Sequence, residues 1–161
     1  MFPDGFDYDS IFSYDISRFD FQRWMGPRSM KILFLDDSPE RHRVMRTQTS
    51  QATCDHAYTA NDALKMLKKH NYDLIMLDHD LNEDPECKLI CADGTYVAEY
   101  MSKFMPQHIE TPVVVHSLNT VAASRMRKIL EDDGGYMFVH TIPFAWEKIL
   151  IREDGQAVFR K

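Results

Sequence analysis

Disulfide frameworks, an excess of positive charge and long apolar runs are all missing from this 161-residue sequence. Its three cysteines, Cys54, Cys87 and Cys91, are odd in number and unevenly placed, which is typical of reduced thiols. Lys and Arg number 19 against 25 Asp and Glu, and this net charge of -6 argues against duplex DNA binding. No apolar run approaches the roughly 20 residues that span a bilayer, so no membrane association is expected.

The N-terminus also lacks the basic start and apolar stretch of a secretory signal peptide. With the scarce cysteines, this predicts a soluble, cytoplasmic protein. A composition of 44% hydrophobic and 27% charged residues is typical of a globular chain with a real core, and the length favours a single domain.

The first 28 residues differ from the rest, because aromatic side chains alternate there with acids and glycines without a sustained period. This segment ends at Gly26-Pro27, a turn signal. We interpret residues 1–28 as an N-terminal extension and residues 29–161 as the domain. We expect the extension to pack its aromatics on the body of the protein, with partner binding as the alternative.

Apolar segments of strand length alternate with helical patterns from Met30 onward. Helices are predicted to begin near Ser38, Thr59, Gly94 and Asn119. The alternation predicts an α/β fold with a doubly wound five-stranded parallel sheet, and two strand-like pieces around Asp154-Gly155 predict a C-terminal hairpin. The predicted strands of the sheet are KILFL, a weaker segment at 52–58, the apolar part of YDLIMLDHDL, VVVHS and YMFVH.

Polar residues follow the predicted strands where ligands of such folds bind, beyond the carboxyl ends. Several carboxylates at one sheet edge would repel one another unless a divalent cation were bound, and magnesium or manganese is the simplest candidate. The polar groups are Asp36-Asp37, Asp78-His79-Asp80, His116-Ser117 with Asn119, and His140-Thr141.

The segments LFLDD, LIMLD, VVVHS and TIPF resemble the acidic pair, the phosphoacceptor, the Ser/Thr and the Lys-Pro motifs of response-regulator receivers. This resemblance implies a receiver/flavodoxin-like fold over residues 30 to about 144. It implies that Asp36, Asp37 and Asp78 are metal ligands, and that Ser117 takes the hydroxyl position.

The sequence departs from receivers at Ile142, which occupies the place of their lysine. A lysine there would neutralise a phosphoryl group, whereas isoleucine offers neither charge nor hydrogen bond. Phosphorelay signalling is therefore not favoured. His140 points to the same side by the period of two, so it is a candidate to replace part of the lost charge; a structural hydrogen-bonded residue is the alternative.

Four segments are similar to a divergent branch, the cyclic-phosphate-processing receiver domains: LDDSPERH, LDHDL, DGTYVAEYM and HSLNTVAASRM. The chain departs from that branch in the loop carrying PECKLICA, in Ala122 and in the aromatic extension. The resemblance implies a metal-dependent phosphoesterase whose ligand is a cyclic phosphate on a nucleotide or RNA end.

Residue types suggest roles within such a site. His116 and His79 are candidates for general base and general acid, because imidazole titrates near neutral pH, and Asp80 is placed to orient one of them. Ser117 and Asn119 lie at the entrance to a helix, where donors can hold phosphate oxygens.

Three alternatives remain. Asp78 is also a candidate nucleophile that forms an aspartyl phosphate. The other two alternatives concern the function of the whole chain. It is a phosphoacceptor receiver signalling domain, or it is a non-catalytic nucleotide- or partner-binding module.

Other residues receive weaker interpretations. Cys87 and Cys91 have no matching Cys/His pair, so a zinc site is not expected. Arg41 and Arg43 are expected on a solvated helix face, with a phosphate contact by one of them as the alternative. No role is assigned to His42, His56, His70 and His108.

Overall fold

The structure, a computed structural model, describes most of the domain. The predicted N-terminal extension, the pair Cys87 and Cys91, and the turn at Asp154-Gly155 lie outside the described residues. The described residues are 31–48, 53–81, 92–143, 149–151 and 157–159.

A five-stranded, wholly parallel sheet forms the centre of the domain, as the sequence predicts. Its strand order is β2-β1-β3-β4-β5, so the chain reverses its direction of winding between β2 and β3. This arrangement places the carboxyl ends of β1, β3 and β4 side by side, at the position where doubly wound folds bind ligands. The strands are β1 Lys31–Leu35, β2 Thr53–Ala57, β3 Leu74–Leu77, β4 Val113–Ser117 and β5 Val139–Pro143.

Four α-helices connect these strands, and polar side chains cap their N-termini. Thr59, Asp93 and Asn119 each accept a hydrogen bond from a backbone N–H in the first helical turn, as residues of these types do at N-caps. No helix within the described part of the chain is long and apolar enough to cross a membrane. The helices are α1 Pro39–Gln48, α2 Ala60–Lys69, α3 Gly94–Phe104, a 3-10 helix Pro106–His108, and α4 Thr120–Lys128 with a π-helical turn Ile129–Asp133.

The fifth strand lies three residues later than predicted. YMFVH has the composition of a strand, but the structure begins β5 at Val139, where it pairs with Val113. Tyr136 is buried away from the sheet instead, and its hydroxyl donates to the backbone carbonyl of Met105 at 2.8 Å. This hydrogen bond gives the buried hydroxyl of Tyr136 a partner at the end of α3.

The predicted C-terminal hairpin is confirmed. β6 Ile149–Ile151 and β7 Ala157–Phe159 pair antiparallel, with Leu150 opposite Val158.

The two faces of the parallel sheet are packed differently. Alternate residues such as Leu33, Leu35, Leu77 and Val115 form one apolar core with α2, α3 and α4. Phe34 points to the opposite face, where its ring contacts side chains of α1 and β4. Because strand side chains alternate, the residues that follow β1 and β3 directly are also directed to this second face.

Candidate functional site

Asp36 and Asp78 stand at the carboxyl ends of two adjacent strands. The backbone N–H of Asp36 donates to Ala57 O at 3.1 Å, and that of Asp78 donates to Leu35 O at 3.0 Å, so the sheet hydrogen bonding continues through both residues. Both are buried. Two buried carboxylates therefore lie side by side at the carboxyl ends of β1 and β3.

Asp37 completes a cluster of three carboxylates. Asp36, Asp37 and Asp78 each offer an oxygen, and these oxygens lie within 4.8 Å of one another. Carboxylate oxygens at such spacing are the donors that magnesium, manganese or calcium takes. The donor set therefore fits a hard divalent cation, and the structure brings together the three ligands that the sequence predicts.

Backbone amides hold one oxygen of each buried carboxylate. Asp36 Oδ1 accepts from the N–H of Ser38, and Asp78 Oδ1 accepts from the N–H of His79, each at 2.8 Å. Both donors belong to the turns that follow the strands. Each carboxylate is consequently oriented, with its Oδ2 directed toward the centre of the cluster.

Arg41 reaches into this centre from the first turn of α1. Its Nε lies 2.7 Å from Asp36 Oδ2, and its Nη2 lies 3.2 Å from Asp78 Oδ2 and 3.5 Å from Asp37 Oδ1. The expectation of a solvated helix face is therefore wrong for Arg41, whose side chain is 18% exposed. It holds for Arg43, which pairs with Glu40 on the surface.

Burial disfavours the charged forms of the two strand-end carboxylates. Desolvation, reinforced by the charge of Asp36, raises the pKa of Asp78 to about 8 despite the opposing effect of Arg41. Desolvation also raises the pKa of Asp36 above its ordinary value. Without a further cation, Asp78 therefore retains near neutral pH a proton that an exposed aspartate would lose.

His116 lies behind Asp36 and is completely buried. Its ring stacks on Phe34, with centroids 5.2 Å apart, and its Nδ1 lies 3.6 Å from Asp36 Oδ2. Burial, together with the charge of Arg41, lowers the pKa of His116 to about 3, so the imidazole is neutral at neutral pH. The 3.6 Å approach is thus not an ion pair under those conditions.

A second histidine adjoins the cluster, although the sequence interpretation gave it no role. The Nε2 of His42 lies 2.7 Å from the backbone carbonyl of Asp36, and its Nδ1 lies 2.6 Å from Nδ1 of His56. Because a carbonyl only accepts, the Nε2 of His42 carries the proton in that bond. His42 therefore fixes the backbone at Asp36 from α1.

His79 occupies the rim of the site, between two carboxylates. Its Nδ1 lies 2.8 Å from Asp80 Oδ1, and its Nε2 lies 3.3 Å from Asp93 Oδ2. The side chain is 15% exposed. The structure thus places Asp80 where the sequence expects it, in position to orient a histidine, and adds Asp93 as a second neighbour.

Gly94 allows α3 to begin directly against the end of β3. Its N–H donates to His79 O at 2.9 Å, and a Cβ at this position would lie 2.2 Å from the carbonyl oxygen of Asp78. Any side chain would therefore displace the backbone that carries Asp78 and His79.

Ser117 and Asn119 form the entrance to α4, as predicted, but they are mainly occupied with the local turn. Ser117 is buried, and its Oγ accepts from the N–H of Asn119 at 3.1 Å. Asn119 Oδ1 accepts from the N–H of Ala122 at 3.0 Å. The exposed apolar side chains of Leu118 and Val121 flank this entrance.

His140 and Ile142 occupy successive positions on the same face of β5. Ile142 pairs with His116, whereas His140 pairs with Val114, one position deeper in the sheet. The predicted common side is therefore observed. The residue of β5 that pairs with His116 is nevertheless Ile142, and His140 lies further from the carboxyl end of the strand.

The sequence interpretation underestimated two residues of α1, Arg41 and His42. The signal that could have revealed them is positional: Ser38 caps α1 immediately after Asp37, so the first turn of the helix starts at the acidic edge. A side chain three residues after such a cap begins beside the strand end.

The sequence matches one protein-family model, described as the cyclic-phosphate processing receiver domain, over residues 31–132. No curated protein sequence matches the chain.

Solved receiver structures have the same fold. NtrX from Brucella abortus is 24% identical, with 72% of this chain and 24% of that chain covered and a TM-score of 0.53. This chain thus corresponds to about a quarter of NtrX. The receiver domain of the Francisella response regulator 1452 is 23% identical, with 70% and 84% covered and a TM-score of 0.51. The Mn²⁺-bound form of the response regulator Rcp1 is 17% identical, with 72% and 81% covered and a TM-score of 0.53.

Proposed function

The chain belongs to the cyclic-phosphate processing receiver family, and from this premise we propose that it is a metal-dependent phosphoesterase that opens a cyclic phosphate on a nucleotide or an RNA end. The observation that carries the proposal is the cluster of Asp36, Asp37 and Asp78 beside an oriented histidine. The reaction adds water across one P–O bond: the water oxygen joins phosphorus, and the leaving ribose oxygen receives a proton.

Asp36, Asp37 and Asp78 would hold a magnesium or manganese ion. When bound there, such an ion supplies polarisation of a phosphoryl oxygen and lowers the pKa of a coordinated water. The carboxylates contribute orientation, because the backbone amides of Ser38 and His79 already fix one oxygen of each buried aspartate.

His79 is the proposed proton-transfer group. It lies at the rim, and Asp80 and Asp93 hold its ring in one orientation. The contact of Nε2 with Asp93 is the longer of the two, so this nitrogen is the one proposed to exchange a proton with the substrate. An imidazole held in this way is placed to give a proton to the leaving oxygen, which is the role of a general acid.

His116 enters the proposal as a positioning residue behind Asp36. Its burial keeps the ring away from solvent, and its pKa of about 3 makes it a neutral neighbour that adds no charge to the cluster. His116 would help to position Asp36 Oδ2. His79 would be the histidine that contacts the substrate.

The phosphate of the substrate would lie between the acidic edge and the start of α4. Backbone N–H groups in the first turn of a helix bind anions, and the side-chain amide of Asn119 offers a further donor. Ser117 and Asn119 shape this turn through their own hydrogen bonds, and His140 would contribute from β5. The scarce cysteines support the cytoplasm as the proposed location.

A phosphoacceptor domain is the second candidate, because Asp78 ends β3 with a cationic nitrogen of Arg41 3.2 Å from its Oδ2. In that case, acetyl phosphate should add one phosphoryl group to Asp78, detectable in the mass of the intact protein. Ile142, level with His116, argues against this candidate, because it cannot neutralise a phosphoryl group.

The direct test is turnover of a nucleoside cyclic phosphate and of an RNA with a cyclic phosphate end, with Mn²⁺ or Mg²⁺ present. Asp78→Asn and His79→Ala should lose activity, whereas Asp132→Asn, an exposed change of the same charge, should retain it. Equal turnover by all variants would contradict the proposal. Tight nucleotide binding without product would favour a binding module instead.

A further inference from the structure

Arg41 is anchored at the start of α1 with its guanidinium inside the carboxylate cluster. Its backbone N–H donates to Ser38 Oγ, the helix cap, at 3.3 Å. The side chain then reaches all three carboxylates, most closely Asp36 Oδ2 at 2.7 Å and Asp78 Oδ2 at 3.2 Å. Charge-assisted contacts of this kind are among the stronger hydrogen bonds in proteins.

The oxygens that Arg41 contacts are the same ones a cation would need. In Asp36 and in Asp78 the Oδ1 atom accepts from a backbone N–H of the following turn. The Oδ2 atoms are therefore the inward-facing pair, and each of them receives a nitrogen of Arg41. A cation bound at the centre of the cluster would share these two atoms with Arg41.

The two occupants exclude each other on steric and electrostatic grounds. A magnesium ion lies about 2.1 Å from each ligating oxygen. An ion at that distance from both Oδ2 atoms would stand close to the Arg41 nitrogens and carry charge of the same sign. Like charges at such separation are strongly unfavourable in a site shielded from water.

We propose that Arg41 is an internal competitor for the cation site, so that a divalent ion binds only as the guanidinium leaves Asp36 Oδ2 and Asp78 Oδ2. Arg41 thereby sets the cation affinity of the site. This inference rests on the cation site of the proposed function, but it concerns binding and not turnover.

The surface of α1 supplies a matched control. Arg43 lies two residues after Arg41 on the same helix, pairs with Glu40 and is 71% exposed. Replacing either arginine by glutamine removes one positive charge from α1. The difference between the two variants therefore isolates the contact with the carboxylates from the general charge of the helix.

The experiment measures Mn²⁺ binding to the metal-free full chain by electron paramagnetic resonance of the free ion, with calorimetry for Mg²⁺. Arg41→Gln should bind Mn²⁺ about tenfold more tightly than the wild type, because a competing charge-assisted contact is gone. Arg43→Gln should stay within about twofold of the wild type, since exposed charges are screened.

A second variant keeps the result interpretable if Arg41→Gln folds poorly, and an added guanidinium compound tests the competition directly where Arg41→Gln folds. Arg41→Lys retains the charge but loses the fork that spans both strand ends, so its Mn²⁺ affinity should lie above that of the wild type. Methylguanidinium, added below denaturing concentrations, should weaken Mn²⁺ binding to Arg41→Gln more than to the wild type.

Affinity for Mn²⁺ in Arg41→Gln that is equal to or below that of Arg43→Gln would overturn the inference while leaving the cation site intact. Absence of Mn²⁺ binding in every variant would overturn both this inference and the metal requirement of the proposed function. Loss of turnover with tightened Mn²⁺ binding in Arg41→Gln would support the inference and add a role for Arg41 toward the substrate.

Discussion

The two faces of the parallel sheet are both buried, but among the described residues only one of them carries buried carboxylates. Leu33, Leu35 and Leu77 belong to one hydrophobic cluster with buried residues of α2, α3 and α4. One residue further along the strands, Asp36 and Asp78 face the side covered by α1, with His116 stacked on Phe34 beside them. A shift of one residue along β1 or β3 therefore separates a leucine of the hydrophobic cluster from a buried carboxylate.

The two kinds of buried side chain contribute differently to the stability of the protein. Burial of the leucines lowers the free energy of the folded state independently of pH. Burial of Asp78 and His116 instead moves their pKa values toward the neutral forms, to about 8 and about 3. These buried ionisable groups therefore cost stability, which the burial of apolar side chains supplies.

The largest effect is expected on the apolar face. Leu77→Ala should lower the free energy of unfolding by about 3 kcal/mol, because it leaves a cavity beside fully buried neighbours. Urea denaturation measures this loss. The control is Leu118→Ala, whose 71% exposed side chain should cost no more than about 0.5 kcal/mol. Similar losses in both variants would remove the distinction between core and surface.

On the polar face, Asp78→Asn should stabilise the metal-free protein at alkaline pH. The folded state keeps a proton on Asp78 up to about pH 8, whereas the unfolded chain releases it near the ordinary pKa of 3.8. The free energy of unfolding of the wild type therefore falls as pH rises through that interval. The variant lacks this loss and should therefore be more stable than the wild type at pH 8.

Thermal or urea unfolding with a chelator at several pH values measures the effect. The two proteins should converge below about pH 3, where Asp78 is protonated in both the folded and the unfolded state. Asp132→Asn, which changes an exposed carboxylate, should follow the wild type. A wild type that gains stability between pH 4 and pH 8 relative to Asp78→Asn would contradict the assignment of a raised pKa.

The smallest effect is expected at the cap of α4. Asn119→Ala should cost about 1 kcal/mol, as should Thr59→Ala at the cap of α2, because each loses one bond to a helix N–H. Asn119→Asp retains a capping oxygen but carries no side-chain donor for phosphate. It should therefore keep wild-type stability and lose turnover; unchanged turnover would limit Asn119 to its structural role.

Much of the fold follows from local patterns in the sequence. The apolar runs and the caps at Ser38, Thr59 and Asn119 predict the alternation of strands and helices, because these signals act within a few residues. The prediction was wrong for the start of β5, where Tyr136 finds a partner in Met105 at the end of α3. That contact spans a long stretch of chain, so no local pattern contains it.

The carboxylates of the candidate site were predictable from the sequence, but the side chains of α1 that contact them were not. Asp36, Asp37 and Asp78 stand out because acids end two apolar strands. Arg41 was expected on a solvated face, since the direction of a helix side chain depends on how α1 packs against the sheet. The pairing of His42 with Asp36 depends on the same packing.

By itself, the sequence determined the order of strands and helices along the chain. It also determined the capping of the helices and which residue types reach the edge of the sheet. Those properties follow from periodicity and from hydrogen bonds between near neighbours. Tertiary structure decided the distances and the burial: that three carboxylates lie within 4.8 Å, that Arg41 occupies their inner oxygens, and that Asp78 and His116 are held neutral. Desolvation and charge pairing depend on everything packed around a group, and only the folded chain supplies those surroundings.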